Sequence, residues 1–456
     1  MITTAYINIW NKRVGAIAWD ANSGWASFEY EPSFLANQWD LSPLKMPVIG
    51  AEKQVFSFPE LRNTTTFKGL PGLLADVLPD KYGSSLINAW LASNGRPADS
   101  MNPVELLCFI GARGMGALEF EPVLPKANNG ATKIELSSLI RIAQEILSGR
   151  QQFNANLSTD EAKALSDILK IGTSAGGARA KAVIAFNADT KEIRSGQADA
   201  PKGFTHWLLK FDGVTDQQIG SSSGYGRVEM AYYLMAKEAA IEMTECRLLE
   251  ENDRAHFMTK RFDREHGKGK IHVQSFCAIA HYDFNEINSF SYEQLFETMR
   301  SMLLSYTDAE QLYRRMAFNV MARNCDDHTK NFSFIMEKTG QWKLAPAFDV
   351  CHSYRPDSTW VSQHSMSING KRQNITRNDL LQVAKKMNIK KEIHMKKIIL
   401  SSLVCISMFT QAQVQTPKAS PVAKVEQRAG LTDISISYSR PAVNERKIFG
   451  ELIPFG

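Results

Sequence analysis

Asn324-Cys325-Asp326-Asp327-His328-Thr329-Lys330-Asn331 is the stretch on which the reading of this chain turns. It sets two acids, a histidine, a lysine and an asparagine between two apolar segments. Upstream, Leu312, Met316 and Val320 recur every four residues, one stripe of an amphipathic helix, and downstream Asn331 to Met336 alternates as a strand does. The cluster is therefore expected on a loop held at both ends. Asp326 and Asn331 have the spacing of a phosphoryl-transfer loop, in which Asp orients the attacking hydroxyl and Asn holds magnesium. Asp, Asn and His also form loops merely by bonding their own backbone, so the spacing alone decides little. The joint pattern decides more: a second metal carboxylate should follow a hairpin, and Trp342-Lys343-Leu344-Ala345-Pro346-Ala347-Phe348-Asp349 supplies one, with Gly340 at the turn.

Working back toward the N-terminus, Ala309 to Ala322 and Ser291 to Leu304 read as helices leading into this loop. Before them, His256 to Arg264 reads as a strand running into a polar corner, a hinge between two lobes, where Asp263 and Arg264 would otherwise be an ordinary ion pair. Val228 to Met243 is strongly helical and carries Glu229. The strand His206 to Phe211 ends near Lys210, where a nucleotide kinase places its phosphate-binding lysine, with Glu229 as its partner. The rival readings are a snorkelling Lys210 and a solvated Glu229. Ile171-Gly172-Thr173-Ser174-Ala175-Gly176-Gly177-Ala178-Arg179-Ala180-Lys181 precedes the strand Ala182 to Phe186. Its small residues allow backbone N–H groups to approach an anion and Lys181 adds a point charge, although it is not a Walker loop and a flexible loop would look the same. A Gly-rich loop, a Lys strand, a helix and a hinge, then a helical lobe with an Asp/Asn loop and a late Asp, is the order of a two-lobed kinase.

Residues 1 to about 60 read as a small β-rich module, with strands Tyr6 to Trp10, Val14 to Trp19 and Trp25 to Tyr30. Gly69 to Asp80, a helical run Gly83 to Ala92, and a helix opening near Pro103 follow. Gly111-Ala112-Arg113-Gly114-Met115-Gly116 leads into a strand, so a tight turn explains it better than a phosphate cradle. Residues 123 to 131 look like a linker, and Leu136, Ile140, Ala143 and Leu147 stripe the helix after it.

Length permits about three domains. Hydrophobic content of 44% with 22% charged residues is ordinary soluble composition, and 53 basic against 48 acidic side chains permits nucleic-acid contact without predicting it. The six cysteines form no C-x-x-C pair and the first residues have no leader pattern, which fits a reducing cytoplasmic setting. Cys325 and Cys351, beside the two key acids, are read as small buried residues.

These motifs together resemble the HipA family, the serine/threonine-kinase toxins of bacterial type II toxin-antitoxin systems. The resemblance runs from about residue 4 to about 390 and is carried by Gly69 to Asp80, Arg113 to Leu118, Ser174 to Lys181, Arg261 to Arg264, Asp326 to Asn331, and Ala345 to Val350. It implies an α+β, two-lobed protein-kinase-like fold: an N-terminal β-rich module over 1–122, a kinase N-lobe over 132–258 and a helical C-lobe over 259–394. Asp326 would be the catalytic base, and Asn331 and Asp349 would hold Mg2+. ATP would be surrounded by Gly176, Gly177, Ala178, Arg179 and Lys181, by Lys210, by the hinge residues Lys260 and Phe262, and by His328, Lys330, Asn331 and Phe348. Lys260 stands where some members carry an acid, which would leave adenine contact there to the backbone. Ser174 falls where the family places a serine that phosphorylates itself and ejects the Gly-rich loop, as added negative charge would in a site built for phosphates. The implied partners are a helix-turn-helix antitoxin of the HipB type, operator DNA through that antitoxin, and an aminoacyl-tRNA synthetase as protein substrate.

After Lys391 the character changes. Met395-Lys396-Lys397, the apolar run Ile398 to Phe409 and then Thr410-Gln411-Ala412 have the regions of a secretory signal peptide, deep inside the chain, and the run is short for a bilayer span. From Ala419 the sequence resembles the beginning of an exported family of unknown function. The expectation is a kinase frame joined at about 395 to the start of an unrelated gene, with the last helices of the C-lobe missing. A core helix at 396–409 with a surface extension is the alternative.

Overall fold

A computed structural model describes residues 2–37, 39–122, 133–134, 136–147, 159–172, 179–196, 200–216, 220–221, 223–265, 269–390, 422–429 and 432–439. The linker 123–131, the Gly-rich residues Thr173 to Ala178 and the signal-peptide-like stretch 395–412 lie outside them. The chain forms two compact units, Met1–Ser402 and Leu403–Gly456.

The first unit opens with an antiparallel five-stranded sheet in the order Val55–Ser57, Trp25–Tyr30, Lys12–Asp20, Thr4–Ile9, Leu118–Glu121. Period-two alternation points Ala5, Ile7 and Ile9 into the core. The helix Pro103–Ile110, with Pro103 in its first turn and Asn102 capping it by accepting from Glu105 N (2.9 Å), ends at Gly111. Gly111 (φ 59°) and Gly116 (φ 78°) then turn the chain into Leu118–Glu121, the tight-turn reading of that glycine run.

A second antiparallel sheet runs Cys246–Glu251, Arg254–Lys260, Thr205–Lys210, Lys181–Phe186, Ile193–Ser195. Helices Lys81–Ser93, Leu136–Leu147 and Thr159–Gly172 join the two sheets, and Tyr82, Leu86, Leu139 and Ile168 share one core with Ala182, Ile184 and Leu209. The β module and the second sheet therefore bury their apolar faces in one core. A second core belongs to the helical lobe, built from Leu295, Leu312, Met316, Phe334 and Val383, with Tyr232 and Ala236 reaching it from the helix Tyr225–Glu238. That helix stops short of the Met243 expected from sequence. Ala240 takes a left-handed φ of 55°, and Ile241, 2% exposed, returns its N–H to Ala236 O (2.9 Å) as it turns into the core.

The segment Gly69 to Asp80 fastens the module to both lobes. Its turn Gly72–Ala75 crosses the helix Phe276–Ala280 so closely that a Cβ on Gly72 would lie 2.1 Å from Ala278 O, which only glycine avoids. Asp76 then accepts from Ser275 N (2.6 Å) and Ser275 Oγ (2.7 Å) on the helical lobe, and Asp80 meets Lys181 (2.9 Å) on the N-lobe. Tryptophans add further fastenings: Trp10 Nε1 donates to Lys270 O (2.7 Å), and Trp342 Nε1 to Asp40 O (3.0 Å).

At the hinge, Asp263 is fully buried. It accepts from Arg261 Nε (2.8 Å) and Nη2 (2.6 Å), from Arg264 Nη1 (2.8 Å) and from Gly116 N (2.7 Å), while Arg264 donates back to Gly114 O and Gly116 O (both 2.9 Å). Two sequence motifs thus meet as one clamp.

The second unit shows an antiparallel hairpin, Val422–Ala429 with Thr432–Ser439, in register from Val422 opposite Ser439 to Ala429 opposite Thr432. Among the described residues no helix is long and apolar enough to cross a membrane.

Candidate active site

The helix Tyr306–Met321 delivers the chain to the Asp326 loop. Its Leu312 and Met316 are buried, and beyond the loop Ser333–Met336 pairs with Trp342–Leu344 around Gly340 (φ 81°). Between these anchors the loop is pinned from below. Asp327, 1% exposed, accepts from Tyr292 Oη and Ser365 N and pairs with His364 Nδ1, each at 2.8 Å. Asn319 Nδ2 donates to Tyr292 Oη, and Asn324 Nδ2 to Asn319 Oδ1 (both 3.0 Å). Asp327 is thus the structural acid of the pair. Its neighbour Asp326 is 45% exposed, with His328 Nε2 at 3.8 Å.

Burial alone would pull the His364 imidazolium down, but Asp327 outweighs it and pushes its pKa up to about 10. The folded value lies above the ordinary value of about 6.5, so this pair contributes fully below that pH and fades as pH rises through about 10. The thermal midpoint of the wild type is expected to fall relative to that of His364→Gln between pH 7 and 10, measured by scanning calorimetry. Parallel curves would contradict it.

Asn331 Nδ2 donates to Asp326 O (2.7 Å), which ties the two together and leaves Asn331 Oδ1 as a potential ligand. Asp349, in a left-handed conformation (φ 50°), accepts from Lys210 Nζ through Oδ1 in an ion pair, which leaves Oδ2 as a potential ligand. Asn331, Phe348 and Asp349 line one crevice. A carboxylate and an amide oxygen suit magnesium, which keeps waters and phosphate oxygens for its remaining positions. Among the described residues no cluster of three or more His, Cys, Asp or Glu makes an all-protein metal cage.

Lys210 joins the two lobes. Its Nζ donates to Glu229 Oε2 (2.8 Å) as well as to Asp349, and Glu229 is 5% exposed rather than on a solvated face. Burial opposes the Lys210 charge, yet Asp349 and Glu229 outweigh it and hold the ammonium above its ordinary range. Burial likewise raises Asp349, and Lys210 and then Lys181 overcome this and hold its carboxyl low.

The other expected residues divide. Phe262 meets Phe348 (ring centroids 5.9 Å), bringing hinge and Asp349 segment together. Lys260 donates its N–H to Glu245 O (2.9 Å), and its side chain lies 43% exposed near the Glu245 carboxylate. His328 packs beside the Phe284 ring, and Lys330 Nζ lies 5.6 Å from the centroid of that ring. Arg179 stacks on Tyr225 (3.6 Å), at the start of the Glu229 helix. Lys181 is buried against Asp80, a partner that sequence reading did not foresee. Ser174, Gly176, Gly177 and Ala178 lie outside the described residues.

Fold and site together define a two-lobed, protein-kinase-like molecule carrying an N-terminal β module. The chain belongs to the HipA family: the HipA-like C-terminal domain matches residues 173–408, more than half of the chain, and the HipA N-terminal domain matches residues 5–121. Residues 420–456 match a protein family of unknown function (DUF2911). No curated protein matches the chain. Among solved structures, the HipA of Shewanella oneidensis MR-1, in complex with HipB and operator DNA, aligns at 16% identity over 89% of this chain and 91% of its own, with a TM-score of 0.60, a likeness of fold. The Helicobacter pylori proinflammatory kinase CtkA aligns at 12% identity over 53% of this chain and 84% of its own, with a TM-score of 0.33.

Proposed function

We propose that this chain is an ATP- and magnesium-dependent serine/threonine protein kinase, the toxin of a type II toxin-antitoxin pair. The observation that carries this reading is the Lys210 ammonium held between Glu229 and Asp349, opposite Asn331 hooked onto the Asp326 loop. In a kinase each part has work to do: Lys210 binds the nucleotide phosphates, Glu229 keeps Lys210 in place, and exposed Asp326 takes the proton of the acceptor hydroxyl. Magnesium, when bound at Asn331 and Asp349, neutralises charge on the phosphate chain. A HipB-type helix-turn-helix antitoxin and, through it, operator DNA are the proposed partners, by similarity to the complex of the Shewanella protein. An aminoacyl-tRNA synthetase is the proposed substrate class, by family resemblance alone. Ser174 is the proposed site of self-inactivation.

Mass spectrometry of the full chain incubated with ATP and magnesium tests this reading. Phosphate at Ser174 is expected in the wild type and not in Asp326→Ala. A folded wild type that acquires no phosphate would favour a catalytically silent co-repressor instead.

We further propose that the sequence from about residue 395 derives from an unrelated exported protein. The basic, apolar and small-residue order of 395–412 and the separate family match of 420–456 support this, whereas the HipA-like C-terminal match runs on to residue 408 and overlaps that stretch. Limited proteolysis should leave a stable fragment ending near residue 390, and a tail protected with the lobe would exclude the idea.

A further inference from the structure

Lys181 is the first residue of a fully buried strand, and its register partner across the sheet is Lys210. Two lysines directly opposite each other repel, so the pairing needs counter-charge. Lys210 draws it from Glu229 and Asp349. Lys181 draws it from Asp80, whose Oδ2 lies 2.9 Å from its Nζ with the two side chains 2% and 7% exposed. Asp80 comes from the N-terminal β module, about a hundred residues away in sequence.

The geometry uses both oxygens of Asp80. Oδ2 takes Lys181, while Oδ1 accepts from Gly83 N (2.7 Å) and caps the helix Lys81–Ser93, which fixes the carboxylate in space. Two further charges of the cleft reach this pair through space: Lys330 of the catalytic loop acts on Asp80, and Asp349 acts on Lys181. Burial works to neutralise both partners, pulling the Lys181 ammonium down and the Asp80 carboxyl up, against their mutual attraction. A buried lysine facing a second lysine keeps its charge only with such an anion beside it.

On the kinase reading above, we propose that Asp80 is a positioning residue of the nucleotide site, holding Lys181 charged and fixed at the phosphate end, so that the N-terminal module completes the site. Lys181 then contributes its positive charge to the phosphate end of the site, beside its register partner Lys210, and Asp80 acts only through it. Removing the Asp80 charge weakens recognition of the phosphates and leaves recognition of the nucleoside intact.

Asp80→Asn separates this role from the cap, because asparagine caps a helix about as well as aspartate. Calorimetric titration of the full chain with magnesium–ATP and with adenosine reads the two ends of the site separately. The expected result is an ATP Kd about tenfold weaker in Asp80→Asn, the scale of one charge-assisted hydrogen bond, with the adenosine Kd unchanged. Combining it with Lys181→Met should cost less than the two single changes together, because both act through one pair. Unchanged ATP affinity, strictly additive losses, or equal weakening of ATP and adenosine with a lowered thermal midpoint would each overturn the assignment. A wild-type chain that binds neither ligand would instead remove the kinase reading, and the proposal with it.

Discussion

Asp349→Asn is expected to lower phosphoryl transfer by about 4 kcal/mol, or three orders of magnitude, while the protein stays folded. Asparagine is nearly isosteric and tolerates the left-handed backbone at this position (φ 50°), so the loop has no reason to move. Lys210 keeps Glu229 at 2.8 Å and is not left without counter-charge. What disappears is the carboxylate charge on the magnesium side of the site, and with it one of the two proposed ligands. Single-turnover transfer to the chain's own Ser174, followed across a magnesium titration, measures this. The wild type should show a saturable magnesium dependence, and the variant little transfer at any concentration. Equal rates would exclude Asp349 as a ligand.

The second large effect falls outside the cleft. Asp263→Ala leaves Arg261 and Arg264 buried at the hinge without their carboxylate and strips Gly116 N of its acceptor. Breaking one partner out of a buried ion pair costs about 3–5 kcal/mol, a large share of the stability of an ordinary domain. Urea unfolding should show the midpoint drop. The pH dependence carries the same signature. Burial pushes the Asp263 carboxyl up, but Arg261 and Arg264 together overcome this and hold it well below the ordinary range. The folded value lies below the unfolded one of about 3.9, so the stabilisation is fully present above that pH and is lost as pH falls through the depressed value. Wild type and variant should therefore converge in stability only in strong acid.

The cleft was more legible in the sequence than the scaffold. Asp326, Asn331 and Asp349 lie within one short run, so spacing and the intervening hairpin expose them. Lys210 and Glu229 are close enough in the chain to be paired, yet nothing local distinguishes a buried Glu229 from one on a wet helix face. Asp76 and Asp80 read as parts of a motif without evident purpose, because their partners Ser275 and Lys181 are 199 and 101 residues away; for Asp263 the neighbouring Arg264 was readable as an ion-pair partner, and what stayed hidden was the link to Gly116, 147 residues away. An acid inside an apolar run such as Leu73 to Leu78 was the available signal, since burying it demands a partner somewhere. The overlong reading of the Glu229 helix has a local cause. Ala239, Ala240, Ile241 and Met243 are as apolar as a helix face, and nothing local announces the left-handed turn at Ala240 that carries Ile241 into the core.

The segment Gly69 to Asp80 also bears on motion. Kinase-like enzymes commonly admit and release nucleotide by swinging two lobes about a hinge. Here a third body spans that hinge, with Asp76 on one lobe and Asp80 on the other, four residues along the chain. A wide swing would have to break one of these attachments, which favours a braced frame with a small opening angle. On the proposed kinase function, nucleotide exchange would then rest on local movement of the cleft wall, and a ligand that seizes the module would brake turnover from a distance.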